Sequence, residues 1–260
     1  MRPVSSIAIV LLGMVGAVHI ARAQSLEDRV LGASADIVRM TYEARPGVCG
    51  DGETFRIASE SRVFGWRNCE PGPVRVQIEK KEERRVTRIR TYIGGRWDER
   101  AGAADLGDVP ASDAVEFLLD LVPAVPASVA EDGLTAAVIA DAADPWQRLL
   151  ELARDEALSK GVRSKAIFWV GLSAAREATR GLAEIIDDDD ETSEVMKAAV
   201  FALARRDEPE RLDQLIRIAR THENPEVVKA ALFWIAESED ERALDLFEEI
   251  LLSSEIDRPN

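Results

Sequence analysis

Histidine, the side chain best suited to acid–base chemistry near neutral pH, is nearly absent from this 260-residue chain. Of its two histidines, only His222 lies beyond the first 23 residues, in the stretch RTHENPE. A Ser-His-Asp triad or a two-histidine metal site would have to be built around this one side chain. We therefore interpret His222 as a turn residue, and we predict no catalytic residues, no metal-binding residues and no cofactor.

Five consecutive acids, Asp187–Glu191, are the second group with chemical potential. Carboxylates attract calcium, but this run lacks the spaced ligands and the central glycine of an EF-hand loop. We predict a solvated turn between helices that contributes to a partner surface. Two lysines 32 residues apart are predicted to occupy surface or inter-repeat ion-pair positions that face the many acids of this half of the chain. The candidate partner surface consists of Asp187, Asp188, Asp189, Asp190, Lys197 and Lys229.

The two cysteines, Cys49 and Cys69, are 20 positions apart, and each stands beside turn-forming residues. They do not have the C-x-x-C spacing of redox motifs, and no histidine lies nearby to complete a zinc site. In an exported chain, two cysteines most simply form one structural disulfide. A loop of this size stabilises the fold by about 3 kcal/mol in the chain-entropy model.

Residues 1–23 have the parts of a secretory signal peptide. Arg2 provides the positive start, residues 7–20 are an apolar run, and Ala21-Arg22-Ala23 places small residues at the cleavage site. The apolar run is shorter than the ~20 residues that span a bilayer. We therefore predict a periplasmic or extracellular protein, cleaved after Ala23, that has no membrane span once this segment is removed.

Charge divides the remaining chain into two unlike parts. Without Arg2 and Arg22, 31 basic residues face 48 acidic ones, a net charge of −17. Residues 24–100 have a balance of +2, whereas residues 101–260 have a balance of −19. Binding of nucleic acid requires clustered lysine and arginine, so the acidic part excludes that function class.

Residues 24–100 show the alternation of a half-buried antiparallel sheet. Apolar side chains alternate with polar ones in Ile37–Glu43 and Val74–Glu79, and a third strand is predicted over Val86–Ile93. The basic side chains of the hairpin joining the last two strands are predicted to be solvated. A helical lead-in is predicted near Leu26–Leu31, and a further short strand near Phe55–Ala58.

Residues 128–253 contain about four copies of a helix pair. Val162, Val195 and Val227 recur at intervals of 33 and 32 residues, and many apolar positions keep the same register. Each pair has an apolar stripe that only a neighbouring pair can bury, which predicts an α-solenoid. Phe168, Phe201 and Phe233 also recur, and we predict that they form the packed spine between helix layers. Residues 101–127 are predicted to be a linker and a capping helix over Ala111–Leu121, and residues 254–260 a tail.

The stretches KGVRSKAIFWVG (160–171), SEVMKAAVFALA (193–204) and NPEVVKAALFWIA (224–236) resemble the first helices of bacterial HEAT-like repeats. The resemblance implies a protein-interaction scaffold. Together with the signal peptide and the lack of catalytic residues, it predicts an exported, non-enzymatic HEAT-repeat scaffold whose acidic solenoid surface binds a protein or peptide partner with a basic segment. The predicted fold class is α+β: a small antiparallel β domain with one disulfide, followed by an α-solenoid. Two other functions stay open, namely an envelope sensor for a small molecule or glycan, and an accessory of the HEAT-like lyase type. The oligomeric state stays open as well.

We expect the exported protein to begin at Gln24. Mass spectrometry of the intact protein purified after export should give the mass of residues 24–260. A soluble exported protein that retains Met1 would contradict the predicted signal peptide.

Overall fold

The computed structural model describes residues 24–57, 69–82, 84–98, 102–207, 210–238 and 240–256, with side chains described up to residue 252. The predicted signal peptide, residues 1–23, lies outside the described residues, and so does residue 83 in the predicted hairpin turn. Most of the predicted tail also falls outside them.

The N-terminal part contains a four-stranded sheet in the order β5-β4-β1-β6 and a separate two-stranded sheet of β2 and β3. Antiparallel pairs join β1 to β4, β4 to β5 and β2 to β3. The predicted α+β fold class, with its antiparallel strands, is confirmed. The strands are β1 (Ile37–Tyr42), β2 (Val48–Gly50), β3 (Phe55–Ile57), β4 (Val74–Lys81), β5 (Arg85–Ile93) and β6 (Ala103–Asp108).

The inner face of this sheet is formed by the apolar positions that alternate in the sequence. Val38 lies opposite Ile78, and Met40 lies opposite Val76; all four side chains are buried. Because a one-residue slip would move every apolar side chain to the other face, this alternation fixes the register.

A strand occupies residues 103–108, where we predicted a linker. β6 pairs in parallel with β1, and the register shifts between Arg39 and Thr41. Its sequence, Ala-Ala-Asp-Leu-Gly-Asp, has little intrinsic strand preference. The free edge of β1 supplies hydrogen-bonding partners for its backbone, and this pairing outweighs the weak local preference.

The predicted disulfide between Cys49 and Cys69 is confirmed, with the two Cα atoms 5.2 Å apart. It joins β2 to the segment that leads into β4. Backbone hydrogen bonds between Gly50 and Glu70 continue the connection on the next residue of each side. The small β2–β3 sheet is therefore attached covalently beside the start of β4.

Helices make up the rest of the described chain, apart from a short 3-10 helix over Val122–Ala124. The predicted capping helix Ala111–Leu121 is present as α2. The helices are α1 (Leu26–Gly32), α2 (Ala111–Leu121), α3 (Ala127–Val138), α4 (Trp146–Arg154), α5 (Lys160–Gly171), α6 (Glu177–Ile186), α7 (Ser193–Ala204), α8 (Glu210–Thr221), α9 (Pro225–Ala236) and α10 (Glu241–Ile256).

Helices α3 to α10 form two layers, one of first helices (α3, α5, α7, α9) and one of second helices (α4, α6, α8, α10). The first helices pack directly on one another, and the second helices are farther apart. Recurring valine and alanine positions of the first helices form the buried spine, as the repeat register predicts. Its fully buried members include Val162, Val195, Val227, Ala166, Ala199 and Ala231.

The sheet and the helical array share one hydrophobic core. The inner face of the sheet contacts α3 where Gly133 lies close to Ile89. The hydroxyl of Tyr42 donates a hydrogen bond to the carbonyl of Ala136 over 2.8 Å. Complete burial raises the pKa of Tyr42 above its ordinary value, so its hydroxyl keeps the proton that this bond requires.

Lys80 is buried, although we predicted that the basic side chains of the hairpin would be solvated. Its ammonium donates hydrogen bonds to the carbonyls of Val30, Leu31 and Ala33, at 2.7, 3.1 and 2.9 Å. These carbonyls end α1, where backbone acceptors have no partner within the helix. Lys80 therefore attaches α1 to the sheet, and burial lowers the pKa of its ammonium.

A buried ion pair connects successive helix pairs. Arg163, near the start of α5, contacts Glu191 in the turn before α7, and both side chains are 6% exposed. The Nε of Arg163 also donates a hydrogen bond to the carbonyl of Ala153 at the end of α4, over 2.8 Å. The guanidinium of Arg163 thus connects the end of α4, the start of α5 and the turn before α7.

We expect Lys80→Met to lower the free energy of unfolding by about 2 kcal/mol, because it leaves three buried carbonyls without their charged donor. Lys81→Met is the matched control, because Lys81 is the next residue of β4 and its side chain is exposed. This variant should change the free energy of unfolding by less than about 0.5 kcal/mol. Urea unfolding followed by circular dichroism measures both. Equal stability of the two variants would contradict the role assigned to Lys80.

We expect Arg163→Met to destabilise the protein by about 3–5 kcal/mol, because it leaves the Glu191 carboxylate buried and unpaired. Arg154→Met removes an ion pair with Glu184 whose side chains are 45% and 55% exposed. It should therefore cost less than about 1 kcal/mol. The same urea experiment compares them, and similar losses for the two variants would show that burial of the Arg163 pair is unimportant.

Candidate interaction surface

The helical array presents two helix faces and the turns that join them. We call the layer of α3, α5, α7 and α9 the first-helix face, and that of α4, α6, α8 and α10 the second-helix face. Turns that lead from a second helix to the next first helix lie along one edge of such an array. We call this the connecting edge; it comprises residues 155–159, 187–192 and 222–224.

Ion pairs one repeat apart cover the second-helix face. Each joins an arginine to an acid of a neighbouring pair, with N–O separations of 2.5–3.1 Å. These exposed pairs stabilise the fold little individually, but they neutralise the acids that they contact. The pairs are Arg148–Asp120, Arg154–Glu184, Arg176–Glu210, Arg217–Asp187, Arg220–Glu249 and Arg242–Asp213.

A groove of about 470 Å³ between α6 and α8 is lined by equal numbers of positive and negative side chains. Three arginines line it, and so do three acids, all of which take part in the ion pairs above or in a weaker one between Arg180 and Glu184. The second-helix face therefore has little net charge here with which to attract a charged partner.

The acids of the connecting edge are different. Six of them form no ion pair with any residue of the described ranges, and all but one lie in two turns. Three successive turns contribute, so the unpaired charge is distributed along the array. These acids are Asp155, Glu156, Asp188, Asp189, Asp190 and Glu223.

The five acids of the turn at 187–191 have three different environments: one is in an exposed ion pair, one is in a buried ion pair, and three are exposed without an ion pair in the described part of the chain. Asp187 follows the end of α6 and pairs with Arg217 of α8 at 3.1 Å. Glu191 is buried against Arg163. Asp188 accepts a hydrogen bond from the backbone N–H of Asp190 over 3.1 Å, which holds the turn with Asp188, Asp189 and Asp190 exposed.

The two lysines of the candidate surface lie apart from these acids, on the first helices. Lys197 forms an ion pair with Glu226 of the next repeat, over 3.6 Å. Lys229 occupies the equivalent exposed position on α9. Neither lysine forms an ion pair with the 187–190 turn in the described part of the chain, so the six candidate residues do not make one cluster.

An aromatic stripe runs along the first-helix face, where we predicted a buried spine. Phe168 and Phe201 stack with ring centroids 6.3 Å apart, and Phe201 contacts Trp234 at 5.2 Å. Phe233 is 56% exposed. Successive helical residues point about 100° apart, so a helix that buries Ala166, Ile167 and Val170 leaves Phe168 half-buried at the margin of the core. The prediction of a phenylalanine spine was therefore wrong.

His222 has both ring nitrogens bonded to backbone groups. Its Nδ1 accepts a hydrogen bond from the N–H of Asn224 over 3.0 Å, which assigns the proton to Nε2. That nitrogen lies 2.8 Å from the carbonyl of Ile186 at the end of α6. His222 thus connects two successive turns of the connecting edge. Within the described ranges, no three histidine, cysteine or acidic side chains converge as metal ligands.

None of the described helices combines the length and the apolar character needed to cross a bilayer. No curated protein matches the sequence significantly. The HEAT repeats family matches residues 146–232 and, overlapping them, residues 179–258. These matches cover α4 to α10, so this segment of the chain is similar to HEAT repeats, in agreement with the helix pairs described above.

Proposed function

We propose that this protein is an exported, non-enzymatic scaffold that binds a protein partner through the connecting edge of its HEAT repeats. HEAT repeats generally serve as protein-interaction scaffolds. The partner presents a segment rich in lysine or arginine, and this segment lies across several turns of the edge.

The observation that carries this proposal is the unequal pairing of acids. On the second-helix face, arginines of neighbouring repeats pair with Glu184, Glu210, Asp213 and Glu249. On the connecting edge, the carboxylates of Asp188, Asp189 and Asp190 remain exposed, and they have no ion pair in the described part of the chain. The central turn of the connecting edge therefore presents three adjacent negative charges to a partner.

The spacing of the repeats sets the length of the partner segment. Packed helices lie about 8–10 Å apart, which is close to the Debye length of about 8 Å at physiological ionic strength. Charges on adjacent turns therefore reinforce each other, whereas charges two repeats apart are largely screened. An extended segment that contacts two or three turns gains most from this field, and electrostatic steering raises its association rate.

Two features support the non-enzymatic and exported parts of the proposal. His222, the one histidine beyond the N-terminal segment, is held by backbone groups at both ring nitrogens, so neither nitrogen is available as a general base. A disulfide persists in oxidising compartments, which agrees with the signal-peptide pattern of residues 1–23.

We expect charge reversal of the central turn, Asp188→Lys/Asp189→Lys/Asp190→Lys, to slow association with the partner by about tenfold at low ionic strength. The partner is first recovered from periplasmic extract on immobilised mature protein, and association is then measured by interferometry over a range of salt concentrations. The difference between variant and wild type should shrink as salt rises.

The matched control is Glu241→Lys/Asp245→Lys/Glu248→Lys, which makes the same change in net charge on exposed positions of α10. It should slow association far less than reversal of the turn does. Equal effects of the two variants would assign binding to net charge alone, and a salt-independent affinity would rule out the electrostatic edge.

A further inference from the structure

A pocket lies between α1 and α2, at the end of the array where the sheet is attached. Its floor is apolar and is formed by Leu26 and Leu31 of α1 and by Phe117 and Leu121 of α2. Its volume is about 230 Å³. Pockets that bind small molecules usually measure about 300–1,000 Å³, so this one suits a single bulky side chain presented by a larger partner.

The walls of the pocket are held in place independently of any partner. Lys80 binds the carbonyls that end α1, and Arg29 of α1 donates a hydrogen bond to the carbonyl of Leu106 over 3.2 Å. On the other wall, α2 buries Leu118 and Leu119 in the common core. The pocket is therefore formed before binding, which lowers the entropic cost of association.

The rim of the pocket is acidic. Glu27 lies on the α1 wall, and Asp113, Glu116 and Asp120 form a stripe along α2. Like charges at such helical spacings destabilise a helix, and of these three only Asp120 has a basic partner, Arg148, in the described ranges. The dipole of α2 favours Asp113 in the first turn, but it offers nothing to Glu116 in the middle of the helix. Glu116 thus has neither an ion pair in the described ranges nor support from the helix dipole, and its charge is exposed at the rim.

The position of α2 relates this pocket to the connecting edge. The Arg148–Asp120 ion pair joins α2 to α4, which places α2 beside the layer of second helices. Residues 122–126 then lead from α2 to α3, just as residues 155–159 lead from α4 to α5. The pocket therefore lies at the beginning of the row of turns to which the basic partner is assigned.

We propose that the α1–α2 pocket binds one large apolar side chain, such as leucine or phenylalanine, that the partner carries between lysine or arginine residues. The apolar floor buries the side chain, and the acidic rim receives the flanking cations. This inference rests on the proposed function, because it supplies the anchor for the basic segment bound along the connecting edge.

The test uses the mature chain, residues 24–260, and a fluorescently labelled synthetic peptide with a central leucine between lysines. We expect saturable binding by fluorescence anisotropy, and about tenfold weaker binding when the leucine of the peptide is replaced by serine. Ala124→Trp places a large ring at the exposed rim and should weaken binding to a similar extent. Glu116→Lys should weaken it as well, and most strongly at low salt.

Matched controls separate the pocket from general effects of size and charge. Ala127→Trp adds the same ring to an exposed alanine that does not line the pocket, and Asp245→Lys makes the same charge change on α10. Both should bind the peptide like wild type. Thermal melts of all variants identify any that fail to fold, and Glu116→Gln, which removes charge without reversing it, then replaces a misfolded Glu116→Lys.

The outcomes also distinguish this inference from the proposed function. If Ala124→Trp and Glu116→Lys bind like wild type while reversal of Asp188–Asp190 weakens binding, the pocket is overturned and the edge stands. If the serine peptide binds as tightly as the leucine peptide, the apolar anchor is overturned. If the mature chain fails to bind the leucine peptide but binds a peptide of residues 1–23, the leader is the occupant, and the pocket is not a partner site.

Discussion

The close approach of the first helices is the constraint on which the rest of the array depends. At Gly171, the end of α5, an added Cβ would lie 2.8 Å from the Cβ and 2.9 Å from the Cα of Ala202 on α7. Small residues such as Ala166 and Ala199 keep the helices this close along their length. Because the first helices take the direct contacts, the second helices lie farther apart, and long arginine side chains reach across to the acids of the next repeat.

This geometry also determines where charge accumulates. An arginine on a second helix can reach an acid one repeat away, as Arg217 reaches Asp187. Asp188, Asp189 and Asp190 follow in the same turn and form no ion pair in the described part of the chain, whereas the buried side chain of Arg163 points into the turn and pairs with Glu191. The unpaired acids of the connecting edge are thus a consequence of how the helices pack.

The sequence predicts well those features that recur in every repeat. It predicts poorly those features that depend on contact with one particular distant segment. Helical bounds and the valine–alanine spine follow from the repeat register, because each position recurs in the same environment. In the last repeat Ile250 is 36% exposed, whereas its equivalents Ile185 and Ile218 are buried, since no described repeat covers it.

Strand β6 was not predicted, because its formation depends on the edge of β1 and hardly on its own residues. The five acids of the central turn look alike in the sequence, and their different roles depend on arginines 28 and 30 residues away.

The four-stranded sheet positions α1 through two side-chain contacts. Lys80 lies on β4, yet its ammonium binds the end of α1, and Arg29 fixes α1 to β6. The sheet therefore positions one wall of the α1–α2 pocket, while its inner face supports α3. α1 has seven residues, too few for a stable helix in isolation, so its orientation depends on these tethers. A sheet attached to the first helix of a solenoid can in this way add a shaped pocket to a surface that the repeats alone would leave as an open row of turns.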